Sequence, residues 1–200
     1  MGKALPRLVI VTGPSGAGKS SIARDLAAEL GLALLAKDDI KEGLFDSLGR
    51  AESEEDSIRL DTAAFVLIGR LGQRMLDGGV GLVVEGNFGR AQSEPVLAPL
   101  AARSRAAIVH CTIAPEAMVE RIKKRVTGKK KRHPGHMDHN PDPEFVESLA
   151  DPVKFVETRA DVEPPILPLP VYRLDTTKDH NPKLDKVLKW IKESTPKEAS

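Results

Sequence analysis

The segment GPSGAGKS at residues 13–20 limits the possible folds more than any other stretch of this sequence. It fits the pattern G-x-x-x-x-G-K-[ST] at every fixed position, follows the apolar run RLVIVT (7–12) and precedes a helical pattern. Between a strand and a helix, such glycines turn backbone N–H groups toward phosphate oxygens, and the lysine brings a positive charge to them. The sequence therefore predicts a phosphate-binding loop, and an ordinary glycine-rich turn is the alternative.

The motif predicts the roles of individual loop residues. Lys19 is expected to contact the β- and γ-phosphates during catalysis, and the Ser20 hydroxyl is expected to bind Mg²⁺. The nearest string to the guanine-reading pattern N/T-K-x-D is TTKDH (176–180), whose spacing is wrong, so we expect ATP. The predicted nucleotide contacts within the loop are Gly13, Ser15, Gly16, Ala17, Gly18, Lys19, Ser20 and Ser21.

Apolar runs typical of buried strands alternate with helical patterns along the chain. The runs predict strands at residues 7–12, 32–36, 80–86, 106–113 and 171–177, and helices at 19–31, 39–48, 55–77 and 182–194, with further helix starts at Pro115 and at Asp142–Pro143. This order predicts an α/β fold, a five-stranded parallel sheet with helices on both faces. The 200 residues suit a single domain, 1–200, with a frayed tail at 195–200.

Two adjacent aspartates follow the second predicted strand, in AKDDIKEG (36–43). Ligands of parallel sheets bind at the carboxyl ends of the strands, and phosphoryl transfer needs a carboxylate there to orient the attacking hydroxyl and take its proton. We expect Asp38 or Asp39 to face the acceptor and the other to cap the next helix. The alternative is that both only cap the helix.

The phosphate loop, the sequence Asp38-Asp39-Ile40-Lys41 and a basic helix with Arg121 and Arg125 four residues apart resemble the kinase domain of polynucleotide 5′-kinases. The chain is also similar to chloramphenicol phosphotransferase, to zeta-toxin-type kinases and to the AAA-type ATP-binding proteins named only as predicted kinases. The resemblance implies a P-loop NTPase fold of the kinase type, a three-layer sandwich with a basic lid. It also implies that Asp38 is the general base. Lys41 stands where polynucleotide kinases use arginine near the acceptor phosphate.

The segment VVEGNFGR (83–90) ends the third predicted strand. A carboxylate such as Glu85 can orient Mg²⁺-bound water or a substrate hydroxyl there, and Asn87 can donate or accept a hydrogen bond. The resemblance implies that both line the acceptor pocket. A tight turn at Gly86 and Asn87 is the alternative.

The segment RIKKRVTGKKKR (121–132) contains eight basic residues and no acidic one. We expect a lid at about 125–141 that is open without ligands, because its composition cannot form a core. The resemblance implies that Arg125 is the lid arginine that contacts the phosphates, and Arg132 is the next candidate. A solvated basic face is the alternative.

Three histidines follow in HPGHMDH (133–139), with Asp138 beside them. Pro134 and Gly135 prevent a helix there, which disfavours a zinc site, so we assign His133 and His136 to the acceptor or to the closed lid. The resemblance implies that the loop after the fifth strand runs beside the adenine, where Thr176 and Thr177 are candidates. A plain strand-ending turn is the alternative.

The sequence thus predicts an ATP-dependent kinase that uses Mg²⁺ and phosphorylates an alcohol group of a small molecule. A polynucleotide 5′-hydroxyl kinase is the first alternative, disfavoured by Lys41 in place of an arginine, by a net charge of +1 and by only seven aromatic residues. A non-catalytic nucleotide-binding partner protein is the second, disfavoured by Asp38. The single cysteine, Cys111, and the lack of a membrane-length apolar stretch predict a cytoplasmic protein without membrane contact. The oligomeric state stays open.

Overall fold

The computed structural model describes residues 4–49, 53–128, 132–136, 139, 141–157, 163–178 and 184–195. These contain the strands β1 (Arg7–Thr12), β2 (Ala33–Ala36), β3 (Leu82–Glu85), β4 (Arg105–Thr112) and β5 (Val171–Asp175). The helices are α1 (Lys19–Leu30), α2 (Lys37–Leu48), α3 (Glu54–Asp77), α4 (Arg90–Ala101), α5 (Pro115–Thr127), α6 (Pro143–Ser148), α7 (Pro152–Glu157) and α8 (Asp185–Ser194).

The five strands form one parallel sheet in the order β2-β3-β1-β4-β5, which confirms the predicted sheet. β1 lies at the centre, with β3 on one side and β4 on the other. The chain leaves β1 and returns on both sides of it, so the carboxyl end of β1 lies where the direction of winding changes. Ligands of open α/β sheets bind at such a point.

Alternate residues of β1 enter two separate apolar cores, and this makes the molecule three layers thick. Val9 and Val11 pack with α1 and α8, while Leu8 and Ile10 pack with α3 and α4. A third cluster joins α5 to α6 and α7 and includes Ile122. The sheet is therefore covered on both faces, as predicted for a parallel sheet.

Several elements differ from the predicted ones. β2 is an edge strand, so most of its residues are half-buried rather than buried. The helix predicted from Asp142 is two short helices: Asp142 accepts the N–H of Phe145 at 2.7 Å, and Asp151 starts α7 by accepting the N–H of Lys154 at 3.1 Å. Each Asp–Pro pair thus starts its own helix.

The C-terminal end is anchored at the first residue of the predicted frayed tail. Arg7 donates from Nε to the Thr195 hydroxyl at 2.8 Å, and Arg105 donates to the Thr195 carbonyl. Residues 196–200 lie outside the described part of the chain. Across the described residues, no helix combines the length and apolar character that crossing a bilayer requires.

Candidate active site

The phosphate loop connects β1 to α1 through glycines in the left-handed region of backbone space. Gly13, Gly16 and Gly18 have φ angles of 133°, 83° and 74°. A Cβ at Gly13 would lie 2.2 Å from the carbonyl oxygen of Cys111 on β4, so only glycine fits there. Gly18 is the N-cap of α1 and has no side chain to cap it, which leaves the positive end of the helix for an anion.

The loop is closed by hydrogen bonds to one carbonyl. Lys19 donates from Nζ to the Pro14 carbonyl at 2.9 Å, and the N–H of Ala17 donates to the same oxygen at 3.2 Å. Ala17 and Gly13 are buried and shape the loop from behind, since neither lines the adjacent cleft. The other predicted loop residues do line it: Ser15, Gly16, Gly18, Lys19, Ser20 and Ser21.

Glu85, at the end of β3, lies beside the loop rather than only at the acceptor end. The Ser20 hydroxyl donates to Glu85 Oε2 at 3.5 Å. Burial raises the pKa of Glu85, the charge of Lys19 opposes this rise, and the nearby Asp38 adds to it. A hydroxyl and a carboxylate are oxygen ligands of the kind that Mg²⁺ prefers, so these two residues fit a magnesium site.

The phosphate loop opens into a cleft of about 550 Å³. This cleft brings together most of the side chains predicted from separate segments, but His133 and Thr176 do not line it. Asn87 lies in the cleft wall and is exposed. The predicted residues found there beyond the loop are Asp38, Lys41, Glu85, Asn87, Arg125, Arg132 and His136.

Asp38 and Asp39 differ in position, and neither caps α2. The helix begins at Lys37 after an extended Ala36, so both aspartates lie inside its first turn, where negative charge is favourable. The expectation of a capping aspartate is therefore wrong. Asp39 is exposed and does not line the cleft, whereas Asp38 does.

Asp38 forms ion pairs with two cations. Lys37 Nζ lies 3.1 Å from Asp38 Oδ1, and Arg132 pairs with Oδ2. Burial by itself would raise the pKa of Asp38, but the charges of Lys37, Arg132 and His136 outweigh it and lower the pKa to about 2. Asp38 is thus ionised at neutral pH, and Arg132 covers it.

The described part of the predicted lid lies closed against α2. Besides the Arg132–Asp38 pair, His133 Nε2 lies 3.1 Å from Asp46 Oδ1 and His136 Nε2 lies 2.7 Å from Glu42 Oε1. The expected open lid is therefore not seen at residues 132–136. Asp38, Glu42 and Asp46 recur every fourth residue, so α2 offers an acidic face to the basic segment.

The sequence disfavours a zinc site at the histidine segment, and the structure describes only part of that segment. Among the residues that the structure describes, no group of three or more His, Cys, Asp and Glu side chains could hold a metal ion. Asp138 and the lysines at 129–131 lie outside those residues.

The comparison with known families decides the class of the chain. A family model described as an AAA domain matches residues 8–138, which is more than half of the chain. The chain belongs to this AAA domain family. The match covers the phosphate loop, Asp38 and Asp39, Glu85 and the basic helix, and of the residues that line the cleft it leaves out Phe145.

Solved structures show the same fold as this AAA domain. A "putative kinase" from Chloroflexus aurantiacus J-10-fl has a TM-score of 0.79 and 27% identity, covering 96% of this chain and 100% of that one. A gluconokinase from Sinorhizobium meliloti 1021 has a TM-score of 0.59 and 17% identity, with 96% and 95% covered. The Pnkp1/Rnl/Hen1 RNA repair complex has a TM-score of 0.51 and 16% identity, covering 78% of this chain and 46% of that one. No curated protein gives a significant sequence match. The fold is that of the P-loop NTPases, of the kinase type, as the resemblance implied.

Arg121 has a role in the AAA domain that sequence reading missed. It donates from Nη1 to the Gly16 carbonyl at 3.1 Å, and from Nη2 to the carbonyls of Thr176 at 2.5 Å and Thr177 at 3.2 Å. Arg121 therefore ties the phosphate loop to the loop after β5. Arg125, one turn further along α5, lines the cleft instead.

Thr176 does not line the cleft of the AAA domain. Its N–H and its hydroxyl both donate to the Thr112 carbonyl, at 2.9 and 3.0 Å. The N–H of Thr177 donates to Asp175 Oδ1 at 2.9 Å. These bonds favour the strand-ending turn that the sequence left open.

Three further polar side chains that line the cleft of the AAA domain were not predicted from the sequence: Lys37, Ser57 and Asp61. Lys37 lies directly between the end of β2 and the pair Asp38–Asp39, and this position could have identified it as a cleft residue. Ser57 and Asp61 lie on α3, four residues apart, and polar residues on the inner face of an otherwise amphipathic helix are the signal that could have found them.

Proposed function

We propose that the chain is an ATP-dependent kinase that transfers the γ-phosphoryl group of ATP to a hydroxyl of a small molecule. The observation that carries this proposal is that one cleft contains both the phosphate loop and an ionised carboxylate, Asp38, in the first turn of the helix that follows β2. A loop that only binds nucleotide needs no such carboxylate, whereas phosphoryl transfer to a hydroxyl does.

The roles of the side chains follow from their positions. Lys19 would hold the β- and γ-phosphates, and Ser20 with Glu85 would hold Mg²⁺, which would neutralise charge on those phosphates. Arg125 and Arg132 would stabilise the charge of the transferring group. The acceptor oxygen bonds to the γ-phosphorus, its proton passes to Asp38, and the bond from that phosphorus to the β–γ bridging oxygen breaks.

The similar solved structures support a kinase but do not identify the acceptor. The structure with 27% identity bears the name of a kinase, and the fold is shared by a gluconokinase and by a component of an RNA repair complex. The cleft favours a small acceptor, because among the described residues its lining includes a single phenylalanine, Phe145, and no tyrosine or tryptophan on which a base could stack.

An acceptor screen with γ-³²P-labelled ATP tests the proposal. Sugars, polyols, nucleosides and aminoglycosides form one set, and single-stranded 5′-hydroxyl DNA and RNA form the other. We expect label in a small molecule and little in the oligonucleotides. Labelling of an oligonucleotide at a rate that matches the best small molecule would favour the polynucleotide kinase, and ATP binding without any transfer would favour a non-catalytic protein.

A further inference from the structure

A second carboxylate lies in the cleft close to Asp38. It belongs to Asp61 on α3, and the ammonium group of Lys37 bridges the two, 2.6 Å from Asp61 Oδ1 and 3.1 Å from Asp38 Oδ1. The two carboxylates are therefore no more than two hydrogen-bond lengths apart. Neighbouring polar groups of one small molecule can span such a gap.

Asp61 is held in place from the opposite side as well. Lys41 Nζ donates to Asp61 Oδ2 at 2.8 Å and to the Ser57 hydroxyl at 2.9 Å. Lys41, which stands where polynucleotide kinases use arginine near the acceptor phosphate, lines the cleft and bonds to a carboxylate of the chain. Two lysines from α2 fix one side chain of α3, and this pre-organises the carboxylate in the cleft.

The exposed fractions of the Asp61, Lys37 and Lys41 side chains differ. The Asp61 side chain is 33% exposed, but those of Lys37 and Lys41 are only 7% and 4% exposed. All three residues line the cleft, but Asp61 therefore offers a bound molecule more exposed surface than either lysine does. An ionised carboxylate accepts hydrogen bonds only, so its partner must be a donor, and a hydroxyl or an ammonium group is the donor that small hydroxyl compounds and their amino derivatives supply.

We propose that Asp61 is a specificity-determining residue that binds a second hydroxyl or an ammonium group, on a carbon close to the one that carries the reacting hydroxyl. The inference rests on the proposed function, in which Asp38 faces the reacting hydroxyl. It defines the acceptor class as neutral polyols, sugars and their amino derivatives. An anionic group beside the reacting hydroxyl would approach Asp61 as a like charge.

The first test uses the unmodified protein with glucose, glucosamine, gluconate and glycerol as probes, in the presence of Mg²⁺ and ATP or its non-hydrolysable analogue. Binding is measured by calorimetry and transfer by γ-³²P label. Each probe that binds is compared with its monodeoxy analogues. We expect loss of one neighbouring hydroxyl to weaken binding about 10- to 100-fold, the range for hydrogen bonds to charged groups.

The second test compares Asp61→Asn with Glu55→Gln, a control on the same helix whose exposed carboxylate pairs only with Arg59 in the described contacts. Asp61→Asn should remove most of the preference for the hydroxylated probe over its deoxy analogue, while Glu55→Gln should keep it. The KM for ATP and the thermal unfolding curve check that Asp61→Asn is folded. If it is not, the deoxy comparison on the unmodified protein decides alone.

The outcomes distinguish failure of the proposed Asp61 binding site, here called the subsite, from failure of the proposed kinase function. Transfer only to oligonucleotides, or only to the gluconate hydroxyl beside its carboxylate, leaves a kinase but overturns the subsite, as does equal binding of hydroxylated and deoxy probes. Binding of polyols with the predicted discrimination, but without transfer, supports the subsite and contradicts the kinase. Binding of none of the neutral or aminated probes overturns the subsite.

Discussion

The guanidinium group of Arg132 forms an ion pair with the carboxylate of Asp38. The pair joins the lid to the residue that we propose as the general base, and it helps to lower the pKa of Asp38 to about 2. A carboxylate this acidic is ionised at neutral pH but takes a proton poorly. Movement of Arg132 from Asp38 to the transferring phosphoryl group would free the carboxylate at the moment when the acceptor loses its proton.

Arg132→Met should lower the rate of phosphoryl transfer about 100- to 1000-fold, because the transition state loses a preorganised donor. The KM for ATP should change much less. Arg59→Met, which removes an exposed arginine of α3, serves as the control. Steady-state and single-turnover rates measure the effect, and a wild-type rate in Arg132→Met would remove the arginine from the mechanism.

The depressed pKa of Asp38 predicts a dependence of stability on pH. Because the pKa is lowered from 3.8 to about 2 in the folded protein, ionised Asp38 stabilises the fold above about pH 4, and this stabilisation is lost as the pH falls toward 2. The free-energy difference between wild type and Asp38→Asn should therefore shrink between pH 4 and 2. Urea unfolding across this range measures it, and a constant difference would contradict the pairing.

Lys19→Ala should nearly abolish turnover, since it removes the charge that joins the β- and γ-phosphates. The gain in melting temperature on adding Mg²⁺ and ATP should shrink as well. Lys124→Ala, on the exposed side of α5, is the matched control and should behave like wild type. Wild-type turnover in Lys19→Ala would show that the loop assignment is wrong.

Arg121→Met should weaken nucleotide binding and loosen the two loops that Arg121 connects. Hydrogen bonds from Arg121 join Gly16 to Thr176 and Thr177, so amide hydrogen exchange near both loops should rise in the variant. Lys123→Met, on the exposed side of the same helix, is the control variant for this comparison. Unchanged exchange near Gly16 would mean that the arginine does not hold the loop.

The sequence predicts the sheet and its phosphate loop well, because local patterns determine both. β1 is predicted to the residue, since an apolar strand buried on both faces ends where glycines begin. Helix α4 is not predicted, because Pro95 and Pro99 lie inside it. Leu97 and Leu100 on α4 are buried against the sheet, and this tertiary packing outweighs the prolines.

The acceptor end of the site is harder to predict, because it depends on contacts between distant segments. Nothing local shows that Asp61 on α3 meets Lys37 and Lys41 on α2, or that Arg132 reaches Asp38 across 94 positions. The spacing of Asp38 and its acidic neighbours on α2 does show one charged face. Only the fold shows that the basic lid segment packs on it.

The most direct test of the central claim is transfer of γ-³²P from ATP to a polyol pool by wild type, Asp38→Asn and Asp39→Asn. We predict labelled small molecule with wild type and Asp39→Asn, and a rate about 10²- to 10⁴-fold lower with Asp38→Asn, the usual range for loss of a general base. Nucleotide affinity should stay the same in all three. Release of inorganic phosphate alone by wild type, or equal transfer by Asp38→Asn and wild type, would contradict the claim.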